Sequence, residues 1–225
     1  MKDGVAVHLW LFTHVRSKMK KTLMFFHGNA GNMSFRLENF KALFHRCDVN
    51  VLAVEYRGYG LSEGTPGEEK LKSDAVEVLH WLHALPEIDN TEIYVLGRSL
   101  GGAVAFHMAA DNQDKVAGII VENTFTSTND IVDVLLPKLS YFKWLSYNVW
   151  ANIDVVPKLR IPCLFLRSGK DELIPKDHME RLVAAYGGNK ELVHFPDAQH
   201  MNANTFPGYD GAISRFLNTI KQRRL

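Results

Sequence analysis

The sequence predicts an α/β protein in which helices flank a doubly wound, mostly parallel sheet. Short apolar runs alternate along the chain with segments of helical periodicity, and this alternation is typical of right-handed crossovers between parallel strands. The 225 residues, 46% of them hydrophobic, are enough to enclose one full core. No repeat or linker divides the chain, so we expect a single domain over residues 1–225 with a small helical cap insertion at about 122–160.

The predicted elements follow from the period of the apolar residues, which is two in strands and 3.6 in helices. Continuous apolar runs predict strands buried on both faces, and the first run alternates loosely as an edge strand does. The predicted strands are residues 5–12, 22–26, 49–56, 92–96, 116–121, 161–166 and 191–195. The predicted helices are residues 34–44, 67–85, 102–111, 176–186 and 209–221.

Composition and charge narrow the classes of partner and compartment. The formal net charge of +1 gives no electrostatic reason to expect a nucleic-acid partner. The chain shows no signal-peptide pattern, and Cys47 and Cys163 lack metal-type spacing, so we expect a reducing compartment, cytoplasmic or membrane-associated, with no metal and no cofactor. The basic loop at 14–21, or an anchor preceding the chain, would give access to a membrane surface.

Ser99 stands in the stretch that organises the chain. It occupies the centre of a Gly-x-Ser-x-Gly pattern between the strand 92–96 and the helix 102–111. A sharp strand-to-helix turn of this kind exposes a serine hydroxyl, and it requires small residues such as Gly97 and Gly101 on either side. Ser99 is therefore the predicted nucleophile.

A serine nucleophile needs a histidine base and an acid that orients the histidine. At such a turn both partners follow the serine in chain order. Asp171 lies in the loop after the strand 161–166 and is the predicted acid, with Glu172 as its adjacent competitor and Glu122 as a more distant one.

Three histidines after Ser99 are candidates for the base. His178 falls in a predicted helix and His194 falls inside the last strand, where a structural role is the simpler interpretation. His200 lies in the loop that follows that strand. His200 is therefore the predicted base.

Two backbone N–H groups would stabilise the negative charge that develops on a substrate carbonyl oxygen. We expect one from Leu100, directly after the nucleophile, and one from the loop after the strand 22–26. Asn29 is the predicted donor in that loop, and Ala30 is the open alternative.

The insertion at 122–160 is rich in aromatic residues, and ligand sites form at the carboxyl ends of parallel strands. These aromatics either anchor a crossover helix to the sheet or line an apolar substrate pocket. The candidate pocket residues are Ala30, Phe125, Trp144 and Met201.

Four stretches stand in one order along the chain: residues 27–32 (HGNAGN), 56–64 (YRGYGLSEG), 97–102 (GRSLGG) and 121–125 (VENTF). Together they resemble the α/β-hydrolase-domain serine hydrolases of the membrane-associated eukaryotic branch, whose relatives include protein depalmitoylases. The resemblance covers essentially the whole chain. It implies the α/β-hydrolase fold and a triad of Ser99, Asp171 and His200.

The sequence departs from that family in two respects. Many relatives carry an aspartate shortly after the catalytic histidine, where this chain has Met201 and Asn202, and many begin with a hydrophobic anchor that is absent here. The first departure changes the residues next to His200 that would hold it in place. The second bears on whether the protein is attached to a membrane.

These observations predict a serine hydrolase that cleaves carboxylic esters or thioesters through an acyl-enzyme intermediate. The aromatic cap favours an apolar acyl group, and therefore a carboxylesterase or acyl-protein thioesterase acting on a small-molecule ester or an acylated substrate. A serine peptidase of the same fold and a non-catalytic ligand-binding homologue are the alternatives.

Overall fold

A computed structural model describes residues 1–135 and 148–223 of the chain. Its strands are β1 (Leu9–Phe12), β2 (Thr22–Phe26), β3 (Asn50–Val54), β4 (Ile93–Arg98), β5 (Gly118–Glu122), β6 (Cys163–Ser168) and β7 (Lys190–Phe195). They form one sheet in the order β1-β3-β2-β4-β5-β6-β7. Strands β2 to β7 pair in parallel, and β1 pairs antiparallel with β3 at the edge. The predicted doubly wound, mostly parallel sheet is confirmed.

The first strand is shorter than the pattern at 5–12 predicts. It begins at Leu9, because the residues before it bond to the loop that follows β3. The carbonyl oxygen of Ala6 accepts from the N–H of Glu63, and the N–H of His8 donates to Oγ of Ser62. These bonds take the place of a strand ladder.

The described helices are α1 (Leu37–Arg46), α2 (Glu68–Ala84), α3 (Leu100–Ala110), α4 (Thr128–Leu135), α5 (Asn152–Val155), α6 (Lys176–Ala185) and α7 (Tyr209–Arg223). Helices α1 and α7 pack on one face of the sheet, and α2, α3 and α6 pack on the other. Helix α1 starts later than predicted because Met33–Arg36 forms a 3-10 turn, capped by the Asn32 side chain.

Helix α3 is buried along nearly its whole length, as expected for a helix that is apolar on every side. It packs on β4, β5 and β2 and against α2. Its first turn therefore sits over the middle of the sheet, at the carboxyl end of β4. This position places Ser99 at the centre of the sheet edge where ligand sites form.

The predicted cap contains two described helices, α4 and α5, within its range of 122–160. Residues 136–147 lie outside the described part, and Trp144 is one of them. Among the described helices, none combines the length and apolar character needed to cross a bilayer.

The basic loop at 14–21 lies at the amino ends of the parallel strands, whereas Ser99 lies at their carboxyl ends. Because β1 runs antiparallel to β3, Phe12 at the end of β1 pairs with Val51 near the start of β3. The loop then enters β2 at Thr22, which pairs with Asn50 and Ile93 at the amino ends of their strands.

Candidate active site

Ser99 occupies a backbone conformation that an L-residue rarely adopts, with φ of 54° and ψ of −117°. Its N–H donates to the carbonyl oxygen of Glu122 over 2.8 Å, and its carbonyl oxygen accepts from Oγ1 of Thr124 over 2.8 Å. Strained conformations persist only where the surroundings fix them, and they cluster at functional sites. The end of β5 supplies that support here.

The glycines beside Ser99 are required by close backbone contacts. A Cβ atom on Gly97 would lie 2.1 Å from the carbonyl oxygen of Gly101, and one on Gly101 would lie 2.1 Å from that of Phe26. Neither position can hold a side chain unless the backbone moves. The structure thus gives the physical reason for the Gly-x-Ser-x-Gly pattern.

Asp171 and His200 come together in the folded chain. The Nδ1 atom of His200 lies 2.8 Å from Oδ2 and 3.0 Å from Oδ1 of Asp171, and the two side chains are 3% and 5% exposed. The carboxylate also accepts from the N–H groups of Leu173 and Ile174. A carboxylate on Nδ1 holds the proton at that nitrogen, which leaves Nε2 as the basic nitrogen of the ring.

The two competing carboxylates have other partners. Oε2 of Glu172 accepts from the backbone N–H of His200 over 3.1 Å, so Glu172 shapes the loop rather than binding the imidazole. Glu122 is fully buried and pairs with Arg98, whose Nε lies 2.9 Å from Oε1 of Glu122. The hydroxyl of Tyr209 also donates to Glu122 over 2.6 Å.

The Arg98–Glu122 pair stabilises the base of the site as a charged unit. Burial opposes the charge on Arg98, but the nearby Glu122 and Tyr209 outweigh that effect and raise the pKa of Arg98. Burial itself raises the pKa of Tyr209 well above its ordinary value, so its hydroxyl stays protonated and keeps donating to Glu122.

Asn123 is a site residue that the sequence analysis did not identify. Its Nδ2 donates to the carbonyl oxygen of His200 over 2.9 Å and to Oγ of Ser168 over 2.8 Å, while its Oδ1 accepts from the N–H of Ser168. Asn123 has φ of 47°, a conformation that asparagine tolerates better than most residues. An asparagine directly after a buried strand was the available signal.

The loop at 27–31 passes beside the nucleophile. A Cβ on Gly28 would lie 3.6 Å from Cβ of Ser99, so this backbone approaches the serine closely. The hydroxyl of Tyr59 donates to Oδ1 of Asn29 over 2.6 Å. Below the loop, Nε2 of buried His27 lies 2.9 Å from Oε1 of Glu55. The loop that carries Asn29 is therefore held by Glu55 and Tyr59, which belong to the segment after β3.

A cleft of about 380 Å³ opens beside Ser99, a size typical of small-molecule sites. Asn29, Ser99 and Leu100 contribute to its lining, and apolar side chains supply much of the remainder: Leu71, Phe125, Ile131, Trp150 and Ile174. Of the candidate pocket residues, Phe125 lines this cleft. Ala30 and Met201 are exposed, and neither is among the residues that line the cleft.

In the part of the chain that the structure describes, no three His, Cys, Asp or Glu side chains are grouped to hold a metal ion. Both cysteines, Cys47 and Cys163, are free. Burial raises the pKa of the Cys47 thiol to about 11, and it raises that of Cys163 well above its ordinary value. Neither thiol is therefore suited to be a nucleophile at neutral pH.

Residues 21–144 match the profile of the alpha/beta hydrolase fold. The chain is 39% identical over 215 residues to alpha/beta hydrolase domain-containing protein WAV2 of Arabidopsis thaliana, covering 89% of this chain and 70% of that protein. It is 36% identical to protein bem46 of Schizosaccharomyces pombe, covering 96% of this chain and 74% of that protein. It is 31% identical to the uncharacterized membrane protein YNL320W of Saccharomyces cerevisiae, covering 96% of this chain and 76% of that protein.

Solved structures of esterases share the fold. An acetyl xylan esterase from Paenibacillus sp. R4 superposes with a TM-score of 0.77 at 18% identity, covering 96% of this chain and 80% of that one. The esterase Est1E from Butyrivibrio proteoclasticus, solved with ferulic acid bound, gives a TM-score of 0.75 at 17% identity, with 98% and 96% covered. At such identities the likeness concerns the fold alone.

Proposed function

The chain belongs to the alpha/beta hydrolase family, and we propose that it is a serine hydrolase that cleaves carboxylic esters or thioesters. The observation that carries the proposal is the buried His200–Asp171 pair. Ser99 follows β4, Asp171 follows β6 and His200 follows β7, so all three belong to the edge of the sheet formed by the carboxyl ends of parallel strands.

In the proposed mechanism Oγ of Ser99 attacks the carbonyl carbon while Nε2 of His200 takes the hydroxyl proton. The backbone N–H groups of Leu100 and Asn29 donate to the resulting oxyanion. When the tetrahedral intermediate collapses, the bond to the leaving group breaks, and His200 protonates the departing alcohol or thiol. Ser99 is left acylated.

The second half of the reaction returns the enzyme to its starting state. His200 takes a proton from water, the hydroxide attacks the acyl carbon, and the bond to Oγ of Ser99 breaks. The proton returns to Oγ, and the carboxylic acid leaves. Asp171 holds the imidazole in one tautomer throughout and stabilises its protonated form.

The lining of the cleft supports the proposed substrate class. Its apolar lining, which includes Phe125, Leu71 and Ile174, fits an apolar acyl group better than a peptide backbone with its many polar atoms. The esterase names of the structural neighbours also favour ester chemistry. Within this class we propose a carboxylesterase or an acyl-protein thioesterase.

A membrane-associated location is part of the proposal, with the substrate site facing a reducing compartment. One relative is named as a membrane protein, which favours it. If the basic loop at 14–21 contacted an anionic surface, the cleft at the carboxyl ends of the strands would face away from that surface. Such an arrangement suits a substrate that arrives from solution.

Labelling with a fluorophosphonate probe, read as intact mass, tests the nucleophile and its base. We expect one adduct on the wild type and none on Ser99→Ala or His200→Ala. Ser73→Ala and His194→Ala change exposed residues of the same types and serve as matched controls that keep the adduct. No adduct on the wild type would overturn the proposal and favour the ligand-binding alternative.

A substrate panel then separates the activities. Hydrolysis of p-nitrophenyl esters and of an acyl thioester supports the proposed class. Cleavage of a peptide with no hydrolysis of either ester type would show a serine peptidase instead.

A further inference from the structure

One wall of the cleft beside Ser99 is built by the segment at 148–150, where the chain returns from the cap. Asn148 and Trp150 both line the cleft, and so does Glu68 at the start of α2. Glu68 is nine-tenths buried. A carboxylate in a cleft that is otherwise largely apolar requires an explanation, because burying a charge is costly unless it is paired.

The carboxylate of Glu68 is bound to that wall. Its Oε2 accepts from the backbone N–H of Val149 over 2.5 Å and from that of Trp150 over 2.9 Å. Its own backbone N–H donates to Oδ1 of Asn148 over 2.7 Å. Three bonds therefore join the first residue of α2 to three consecutive residues of the wall.

Lys72, one turn further along α2, completes the pairing. Its Nζ lies 2.6 Å from Oε1 of Glu68 and 5.5 Å from the centre of the Trp150 ring. Burial alone would raise the pKa of Glu68, but Lys72 and the wall N–H groups hold that pKa below its ordinary value. Glu68 is therefore ionised at neutral pH, and its oxygens are engaged by the protein rather than offered to a ligand.

The opposite side of the wall is held by Thr128 at the start of α4. Its Oγ1 lies 2.6 Å from the carbonyl oxygen of Asn148 and 2.9 Å from that of Val149, which share its one hydroxyl proton, and its N–H donates to the carbonyl oxygen of Val149. Trp150, whose N–H donates to Glu68, has φ of 43°, in the left-handed region that is unfavourable for a bulky residue. Such a conformation persists only while neighbouring contacts impose it.

We propose that Glu68 is a specificity-determining residue that fixes the wall at 148–150 and thereby restricts the cleft to short and medium acyl chains. The inference rests on the proposed function, because the cleft beside Ser99 is taken as the acyl site. In this proposal a chain too long for the cleft meets the wall at 148–150, and displacing Trp150 would break the bonds of the Glu68 carboxylate. The bonds of Glu68 keep the segment at 148–150 in place, and longer acyl chains are therefore excluded.

The test compares kcat/KM for p-nitrophenyl esters of four to sixteen carbons in wild type and in Glu68→Gln. The glutamine keeps the size of the side chain but loses the charge that holds the wall. We expect the ratio of kcat/KM for long over short chains to rise about tenfold, because a charge-assisted hydrogen bond is lost. Thr128→Val, which releases the wall from its other side, should change the ratio in the same direction.

Glu69→Gln is the matched control. Glu69 is the exposed neighbour of Glu68 on α2, and its Oε1 lies 2.9 Å from the same lysine. The control should keep the wild-type chain-length profile. An unchanged profile in Glu68→Gln, or an equal change in Glu69→Gln, would overturn the proposal.

A binding measurement separates failure of this inference from failure of the proposed function. In the Ser99→Ala background, binding of fatty acids of graded length is followed by titration calorimetry, which requires no turnover. A preference for short and medium chains that Glu68→Gln abolishes supports the inference even if the wild type hydrolyses nothing. Equal chain-length dependence with and without Glu68→Gln overturns it, whatever the catalytic result.

Discussion

The Nδ1 atom of His200 lies within 3.0 Å of both carboxylate oxygens of Asp171, although 29 residues separate the two in the sequence. Two further N–H groups, from Leu173 and Ile174, bind the same carboxylate. The orientation of the imidazole is thus set by a carboxylate that is itself immobilised. This relationship gives Asp171 the role of orienting acid in the proposed mechanism.

Asp171→Asn should abolish most turnover without unfolding the protein. The amide has nearly the size of the carboxylate, but it cannot hold the Nδ1 proton in the same way, so the tautomer with basic Nε2 is lost. We expect kcat for ester hydrolysis to fall about 10⁴-fold, with an unchanged circular-dichroism spectrum. Asp197→Asn, at the exposed partner of Lys170, is the control. A loss below about tenfold would contradict the assignment of Asp171.

Asn123→Gly should reduce kcat more than it changes KM. Glycine accepts the positive φ of this position, so the variant removes the side-chain bonds to His200 and Ser168 without adding backbone strain. We expect kcat to fall about tenfold because His200 loses one anchor of its loop. Steady-state kinetics at several pH values measures this, and an unaltered kcat would show that the loop is held without Asn123.

Substitutions of Arg98 and Glu122 should have strongly non-additive effects on the free energy of unfolding. Arg98→Met leaves a fully buried carboxylate without its ionic partner, and we expect the free energy of unfolding to fall by about 3–5 kcal/mol. Adding Glu122→Leu should recover much of that loss. Urea unfolding of both single variants and the double variant measures the coupling. The exposed Lys170–Asp197 pair, treated in the same way, should couple by about 1 kcal/mol or less.

The partly buried His107 should lower the free energy of unfolding in mild acid. Burial, and then the charge of Lys72, lower its pKa from 6.5 to about 4. Between these pH values the unfolded chain binds the proton and the folded chain does not, so the contribution of neutral His107 is fully present above pH 6.5 and disappears as the pH falls to about 4.

His107→Gln removes the titrating group, and its unfolding free energy should decline less steeply than that of the wild type between pH 7 and pH 4.5. Urea unfolding across this range provides the measurement. Parallel curves for the two proteins would show that His107 is protonated equally in both states.

Much of the sheet and its crossover helices could be predicted from the sequence, because the apolar period of a segment depends on local residues. The pattern at 22–26 gave the bounds of β2 directly, and the strand-to-helix change at Ser99 was found at the observed place. The first strand was predicted too long, because its hydrogen-bond partners at Ser62 and Glu63 are distant in sequence.

Local sequence patterns were sufficient to predict the order of elements, the Gly-x-Ser-x-Gly turn and the candidate residues Ser99, Asp171 and His200. Which carboxylate contacts the imidazole depends on the folded chain, since the neighbouring Glu172 and Asp171 bind the backbone and the ring of His200, respectively. The tertiary structure also revealed Asn123 and Glu68, whose partners lie on other strands and loops. The physical reason is that sequence periodicity reports which face of an element is buried, whereas contacts between loops depend on strand order and register across the whole sheet.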